Sequence, residues 1–194
     1  MFGVTPEGWW RGLAAAALAG VAVKLMDDAL DRRLDETGGR ENSAARLGES
    51  VTAYALAALA LGAALEWRIA VSVFLAAYAV GMAGGLFGRL PSGLLGWQEA
   101  ALALALGLLA VGVRGMGGSL LMVTGAQLAD DLLDRSEDGT RGGAWVRGLG
   151  VPGASLALAL VWLAAASLDL PRSLALAGGW GLVQLLLRKK EIRR

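Results

Sequence analysis

Long runs of alanine, leucine, valine and glycine, with charges confined to short clusters between them, limit what this chain can fold into more than any other feature. The stretches "GLAAAALAGVAV" from Gly12 to Val23 and "ALALALGLLAVGV" from Ala101 to Val113 show no alternation of polar and apolar residues, so they do not read as strands. Backbone of this apolarity is stable in a bilayer only as helix or closed barrel, and without alternation helix is the solution. Of the 194 residues 56% are hydrophobic and only 18% are charged, where a soluble domain carries roughly 25% charged residues to clothe its core. The expected fold is therefore an all-α polytopic transmembrane bundle.

Seven apolar segments can be drawn, approximately Trp9 to Leu30, Ala44 to Leu65, Ile69 to Phe87, Trp97 to Val113, Gly115 to Leu133, Pro152 to Leu168 and Ser173 to Leu187. Several have uncharged cores of only about 15 residues, against the roughly 20 that a span usually needs, so polar ends or snorkelling arginines must supply the remainder. Trp97 to Val113 is the weakest of them. The opening "WWRGLAAAALAGVAVK" has small residues at Ala17 and Ala19 in the manner of a signal peptide. Its apolar run nevertheless continues to an acidic cluster, and an interfacial Trp9–Trp10 pair starting a retained helix fits better. The tryptophans near other segment ends, Trp67, Trp97 and Trp145, read as the same kind of anchor.

Seven spans distribute the basic residues unevenly. One side receives Arg32, Arg33, Arg40, Arg46, Arg89, Arg135, Arg141, Arg147, Arg188, Lys189, Lys190, Arg193 and Arg194, and the other only Arg11, Arg68, Arg114 and Arg172. The richer side is expected to be cytoplasmic, which puts the N-terminus outside and the C-terminus inside a cell (inner) membrane. There is no cysteine and no histidine. Thiolate chemistry, zinc motifs and histidine-based triads are thereby excluded, and carboxylates, arginine and lysine carry whatever chemistry there is. The basic residues are not interleaved with aromatics on a polar face, so nucleic acid is not an expected partner.

The carboxylates are concentrated in two places. "KLMDDALDRRLD" (Lys24 to Asp35) and "QLADDLLDRSED" (Gln127 to Asp138) agree at seven of twelve positions at an offset of 103 residues. Each copy ends a helix and both fall on the predicted cytoplasmic side, which makes one transmembrane domain over 1–194 with parallel pseudo-repeat halves at about 8–90 and 97–190. On a helix Asp27, Asp28, Asp31 and Asp35 lie within about a 100° arc, and Asp130, Asp131, Asp134 and Asp138 do the same. Like charges at that spacing repel, and the helix macrodipole disfavours them at a C-terminal end, so a bound cation is expected. Hard oxygen donors in this number suit Mg²⁺, which shares its remaining positions with water and substrate phosphates. Against this stands an ordinary charged helix end, in which Asp28–Arg32 and Asp131–Arg135 are acid-to-base pairs four residues apart.

"DDALDRRLD" resembles the first aspartate motif of the UbiA superfamily of intramembrane prenyltransferases, N-D-x-x-D-x-x-x-D, with Asp27 in the place of Asn. "DLLDRSED", followed by "GTRGG", is similar to the second motif of that family, D-x-x-D-x-x-x-D. The resemblance implies that the seven segments match the second to eighth helices of the family, leaving its first and last without counterparts; a homodimer is one way to close the pocket. It further implies Mg²⁺-dependent transfer of a prenyl group from an isoprenyl diphosphate to a lipophilic acceptor inside the membrane. On that reading Asp28, Asp31, Asp131 and Asp134 are catalytic, and all eight aspartates of the two motifs are metal ligands. Lys24, Arg40, Arg46, Gln127, Arg141 and Arg147 are candidates for holding the diphosphate. Two other classes remain open: a divalent-cation transporter or channel lined by the carboxylates, and a membrane protein that binds a prenyl diphosphate without transferring it. The glycine-rich "GMAGG" and "GMGG" lack the spacing of a phosphate loop and are expected to serve close helix packing.

Overall fold

A computed structural model describes residues 6–38, 46–138 and 144–188. They form five helices: α1 (Pro6–Gly38), α2 (Val51–Gly81), α3 (Gly96–Asp138), α4 (Ala144–Leu168) and α5 (Leu170–Arg188). Short 3-10 turns occupy Gly48–Ser50 and Met82–Gly85. Among the described residues there is no strand, only an isolated bridge between Arg89 and Leu95. Helices were expected because nothing in the apolar runs favours a pleated face, and the chain is all-helical.

Three of the helices are interrupted. α2 contains Glu66 at φ −154° and ψ 89°, within the charged Glu66–Trp67–Arg68 triplet that separates the second and third apolar segments. α3 contains Gly112 at φ 73° and ψ 174°, and α4 contains Gly150 at φ 68° and ψ 168°. The first two interruptions reverse the chain. A Cβ on Gly107 would collide with the Met116 side chain, although nine residues of straight helix would hold these positions about 13.5 Å apart. Likewise a Cβ on Gly62 would lie 3.4 Å from that of Ala70 across the break at Glu66. The backbone of Gly112 lies in a region that essentially only glycine enters. Gly112→Ala is accordingly expected to cost about 1–3 kcal/mol, measured as a lowered unfolding midpoint in detergent.

α5 begins with a side-chain cap. The backbone N–H of Arg172 donates to Asp169 Oδ1 at 3.1 Å, and the first helical bond runs from Ser173 N to the Asp169 carbonyl at 3.0 Å. Asp169 is thus the N-cap, and Pro171 sits in the first turn where its missing N–H costs nothing.

The interior is made of small residues. Ala15, Ala16, Ala19, Ala70 and Ala165 join Ile69, Val73, Met122 and Leu176 in one buried cluster drawn from all five helices. Leucines lie on the outside: Leu61, Leu102, Leu109, Leu156, Leu163, Leu174, Leu185 and Leu186 are all exposed. A soluble domain buries its leucines, whereas bundles solvated by lipid bring small residues together so that backbones approach closely. Gly48–Gly81, Gly96–Leu133 and Val146–Leu168 are each long and apolar enough to cross a membrane. Membrane character follows from composition and is restated by this inside-out distribution.

Consecutive helices pack on one another, and α5 returns to pack on α1 as well as on α3 and α4, which closes the arrangement into a ring. The contacts between α5 and α1 fix their direction. Cβ positions built on Gly12, Gly179 and Gly20 fall against Ala175, Ala16 and Val183 respectively, so residue numbers rise together and the two helices run parallel.

Candidate functional site

The two acidic segments lie on α1 and α3, and the parallel register of α5 brings them to one end of the bundle. α5 is level with α3 at both ends: Arg172 Nη2 donates to Ser119 Oγ at 3.1 Å, and Gln184 Nε2 donates to Asp130 Oδ1 at 2.6 Å. Val183, beside that glutamine, touches the Gly20 position of α1. Lys24 is one helical turn beyond Gly20, and Asp28 one turn beyond Lys24. The first acidic segment therefore continues from the level at which the second begins. Among the described residues α1 and α3 do not pack directly on each other; α2 and α5 each contact both.

Asp28 is buried at 7% exposure and forms an ion pair with Lys24, Nζ to Oδ1 at 3.0 Å. The Lys24 ammonium also acts electrostatically on Asp27 and on Asp130 of the other helix. Asp27 is exposed, Asp130, Asp131 and Gln127 are half-buried, and Arg46 and Arg147 are exposed. Asp27, Asp28, Arg46, Asp130 and Asp131 all have interaction partners within the protein. Arg40 and Arg141 lie outside the described residues, and so do the side chains of Asp31, Asp35, Asp134 and Asp138.

Among the described residues no group of three or more acidic side chains gathers where one ion could be held. What they offer instead is a carboxylate from each helix, Asp28 and Asp130, with a cation and an amide already on them.

Two groups of polar residues carry interactions that the sequence reading assigned to nothing. Gln184 is the lone polar residue within "GLVQLLL", a signal that could have marked it. Its amide holds one oxygen of Asp130, which leaves the other oriented by that bond. Gln184→Leu is expected to lower stability by about 1.5–3 kcal/mol, as for other hydrogen bonds to a charged group, checked by thermal unfolding in detergent. The second group lies at the far end of the bundle. Arg172 is 6% exposed, and its Nη2 donates to Ser72 Oγ at 2.5 Å, to Ser119 Oγ at 3.1 Å and to the Arg68 carbonyl at 3.3 Å. The two serine hydroxyls are 2.9 Å apart and fully buried. Sequence offered only the arginine's place in the charge distribution, since its partners are 53 to 104 positions away.

No protein-family model matches the chain, and no curated protein or solved structure does either.

Proposed function

We propose that the chain is a Mg²⁺-dependent intramembrane prenyltransferase similar to the UbiA superfamily, acting on an isoprenyl diphosphate and a lipophilic acceptor. In this reading the reversals at Glu66 and Gly112 divide α2 and α3 into two crossings each, giving seven spans in an inner membrane, with the aspartate end cytoplasmic. The observation that supports the proposal is the placement of both copies of one acidic sequence toward the same end of the bundle, where Gln184 of α5 donates to Asp130 and Val183 beside it lies at the Gly20 position of α1.

The chain's own groups suggest a division of labour. Asp27, Asp28, Asp31 and Asp35 on α1 and Asp130, Asp131, Asp134 and Asp138 on α3 would hold Mg²⁺; of these Asp28 is buried and Asp130 and Asp131 are half-buried. Bound there, the ion would neutralise charge that develops on the departing diphosphate. The allylic C–O bond breaks with its electron pair leaving on the diphosphate; an electron pair of the acceptor then forms the new bond, and the acceptor gives up a proton. Lys24, Gln127, Arg40, Arg46, Arg141 and Arg147 are placed in sequence to hold the anion from the helix ends and loops. The alanine-rich interior excludes water from the carbocation. A cation pathway through the bundle is disfavoured by the buried Arg172 guanidinium at the opposite end, which any ion leaving the aspartates would meet.

Retention of a non-cleavable prenyl thiolodiphosphate by the purified protein tests the binding half of this reading. Binding in Mg²⁺ that EDTA reverses is expected. An analogue that binds no better in Mg²⁺ than in EDTA removes the metal-diphosphate assignment.

A further inference from the structure

Between α2 and α3 the chain is ordered by polar contacts while most of its large apolar side chains stay outside. After the 3-10 turn Met82–Gly85 it folds back on itself before α3 begins. Leu90 N–H donates to the Leu94 carbonyl and Gly93 N–H to the Leu90 carbonyl, both at 2.9 Å. Gly96 N–H and Trp97 N–H donate to the carbonyls of Gly88 and Leu86 at 3.1 and 2.9 Å, and Arg89 and Leu95 form the bridge between the two arms. Pro91 opens the three-residue loop and Gly93, at φ 86°, closes it, the pattern of a type I turn ending in a left-handed residue. The Tyr78 and Ser92 hydroxyls donate to the two carboxylate oxygens of Glu99, and Leu95 N–H donates to Gln98 Oε1 at 2.8 Å, which holds the hairpin to both helices. A Cβ on Gly96 would come within 2.5 Å of the Gly85 carbonyl oxygen, so the stem is closed tightly as well.

Phe87 is nevertheless 85% exposed, Trp97 47%, Leu94 38% and Leu86 37%. The bond from Trp97 N–H to Leu86 sets Trp97 beside the arm that carries Phe87. Arg89, on that arm, is exposed and is the only charged residue from Ile69 to Gln98. Among the described residues it forms no ion pair. A fixed element that satisfies its polar groups internally and presents aromatics and one cation outward has the character of an interaction surface.

Two observations say what covers it. The first is its level in the bundle. Ser72 of α2 and Ser119 of α3 are level, their hydroxyls 2.9 Å apart. The part of α2 that follows Ser72 packs on the first part of α3 through Ala79, Ala100 and Ala103, and α3 reverses at Gly112, so the segments after Ser72 and after Ser119 run the same way. Gly81 is nine residues beyond Ser72 and Asp130 eleven beyond Ser119, rises of about 14 and 17 Å. The hairpin therefore lies at the aspartate end, which the basic residues mark as cytoplasmic. The second is continuity. Trp97, Ala101, Ala105 and Leu108 form an exposed stripe at spacings of four, four and three residues. That stripe runs along Gly96–Leu133, which is long and apolar enough to cross a membrane.

We propose that the hairpin from Leu86 to Trp97 is seated in the headgroup layer of the bilayer, with Phe87 and Trp97 at the acyl boundary and Arg89 on the phosphate of an anionic phospholipid. Aromatic rings suit that boundary, and a guanidinium fork matches phosphate. The cytoplasmic leaflet carries the anionic lipids that attract such a cation. Lipid is the occupant because the exposed stripe leads from the hairpin directly into a membrane-crossing segment. The seat fixes the depth of the join between α2 and α3, and it requires the membrane setting but not the transfer reaction.

The chain has no cysteine, so Phe87→Cys supplies a single thiol for a bimane label at a position with little packing to lose. The labelled full-length protein is placed in phosphatidylcholine vesicles with and without phosphatidylglycerol, and quenching by a lipid nitroxide near the headgroup is compared with quenching by aqueous acrylamide. Blue-shifted emission is expected, most of it lost to the lipid nitroxide and little to acrylamide, with stronger lipid quenching when phosphatidylglycerol is present. Arg89→Gln in the labelled protein should abolish the increment due to phosphatidylglycerol while keeping the elution volume. The proposal is overturned if acrylamide quenches the label and the lipid nitroxide does not, which leaves the hairpin in water. It is equally overturned if neither quenches it, as when a second copy of the chain covers the hairpin, or if Arg89→Gln responds to phosphatidylglycerol as its parent does. None of these outcomes depends on the aspartates or on diphosphate chemistry.

Discussion

Gly179→Leu is expected to prevent assembly of the bundle. A Cβ at this position would sit 2.7 Å from the Ala16 Cβ, 2.8 Å from the Ala17 backbone nitrogen and 3.0 Å from the Ala16 carbonyl carbon. Two of these three atoms belong to the backbone of α1 and cannot rotate away. Even Gly179→Ala must push α1 and α5 apart, at about 1–3 kcal/mol for an overpacked contact. A leucine adds three more carbons in the same direction. Its neighbour gives the contrast: a Cβ on Gly178 meets only Leu13 Cδ1, at 2.7 Å, which is the end of a flexible side chain. Gly178→Ala should therefore stay folded, while Gly179→Leu should elute as aggregate from detergent extracts. The effect reaches the acidic end, because α5 carries Gln184 five residues further on and holds Asp130 through it.

Asp28→Asn and Asp131→Asn are each expected to lower Mg²⁺-dependent diphosphate release by about 10²–10³-fold, the range seen when one electrostatic stabiliser of a transition state is removed. The two losses should be of similar size if, as proposed, the copies are halves of one site and neither carboxylate set suffices without the other. Asp28→Asn has a further consequence. It leaves the Lys24 ammonium without its 3.0 Å partner beside a buried position. Adding Lys24→Met to Asp28→Asn should then recover stability lost in the single variant, a non-additivity expected of groups in direct contact. Asp27→Asn, at an exposed carboxylate on the same helix, should have the mildest effect of the three. Initial rates with separately purified variants, matched for elution volume, supply the comparison.

Local features of this molecule were legible in its sequence, and pairings between distant segments were not. The all-helical class and the membrane character follow from apolar runs without alternation, because in lipid the backbone must satisfy itself within each segment. The interruption at Glu66 lies in a charged triplet that no apolar run could absorb. Gly112 falls just inside the fourth apolar segment, because the nearest sequence marker, Arg114, stands two residues beyond the break. The start of α4 at Ala144 was missed for a different reason. The eight residues before Pro152 mix Trp145, Arg147 and two glycines, with no helical period to read.

The acidic segments advertised themselves by repetition. What joins them was hidden. Gln184 and Asp130 are 54 residues apart, and nothing in either neighbourhood specifies the other. Arg172, Ser72 and Ser119 come from three helices and meet only because α5 runs parallel to α1 and level with α3. Lys24 could face an anion or pair with Asp28 on sequence grounds alone; the structure puts its ammonium on Asp28, at the four-residue spacing the helix provides.

The most direct test of the metal-diphosphate site is the release of inorganic diphosphate from labelled prenyl diphosphates by the purified wild-type protein in lipid nanodiscs, in Mg²⁺ and in EDTA. Release that requires Mg²⁺, yields a prenylated lipophilic product when an acceptor is supplied, and disappears in Asp31→Ala and Asp134→Ala is the predicted result. Equal rates in Mg²⁺ and EDTA, or variants that turn over like wild type, would contradict it; prenyl diphosphate binding with no release in any acceptor would leave a binding protein in place of an enzyme.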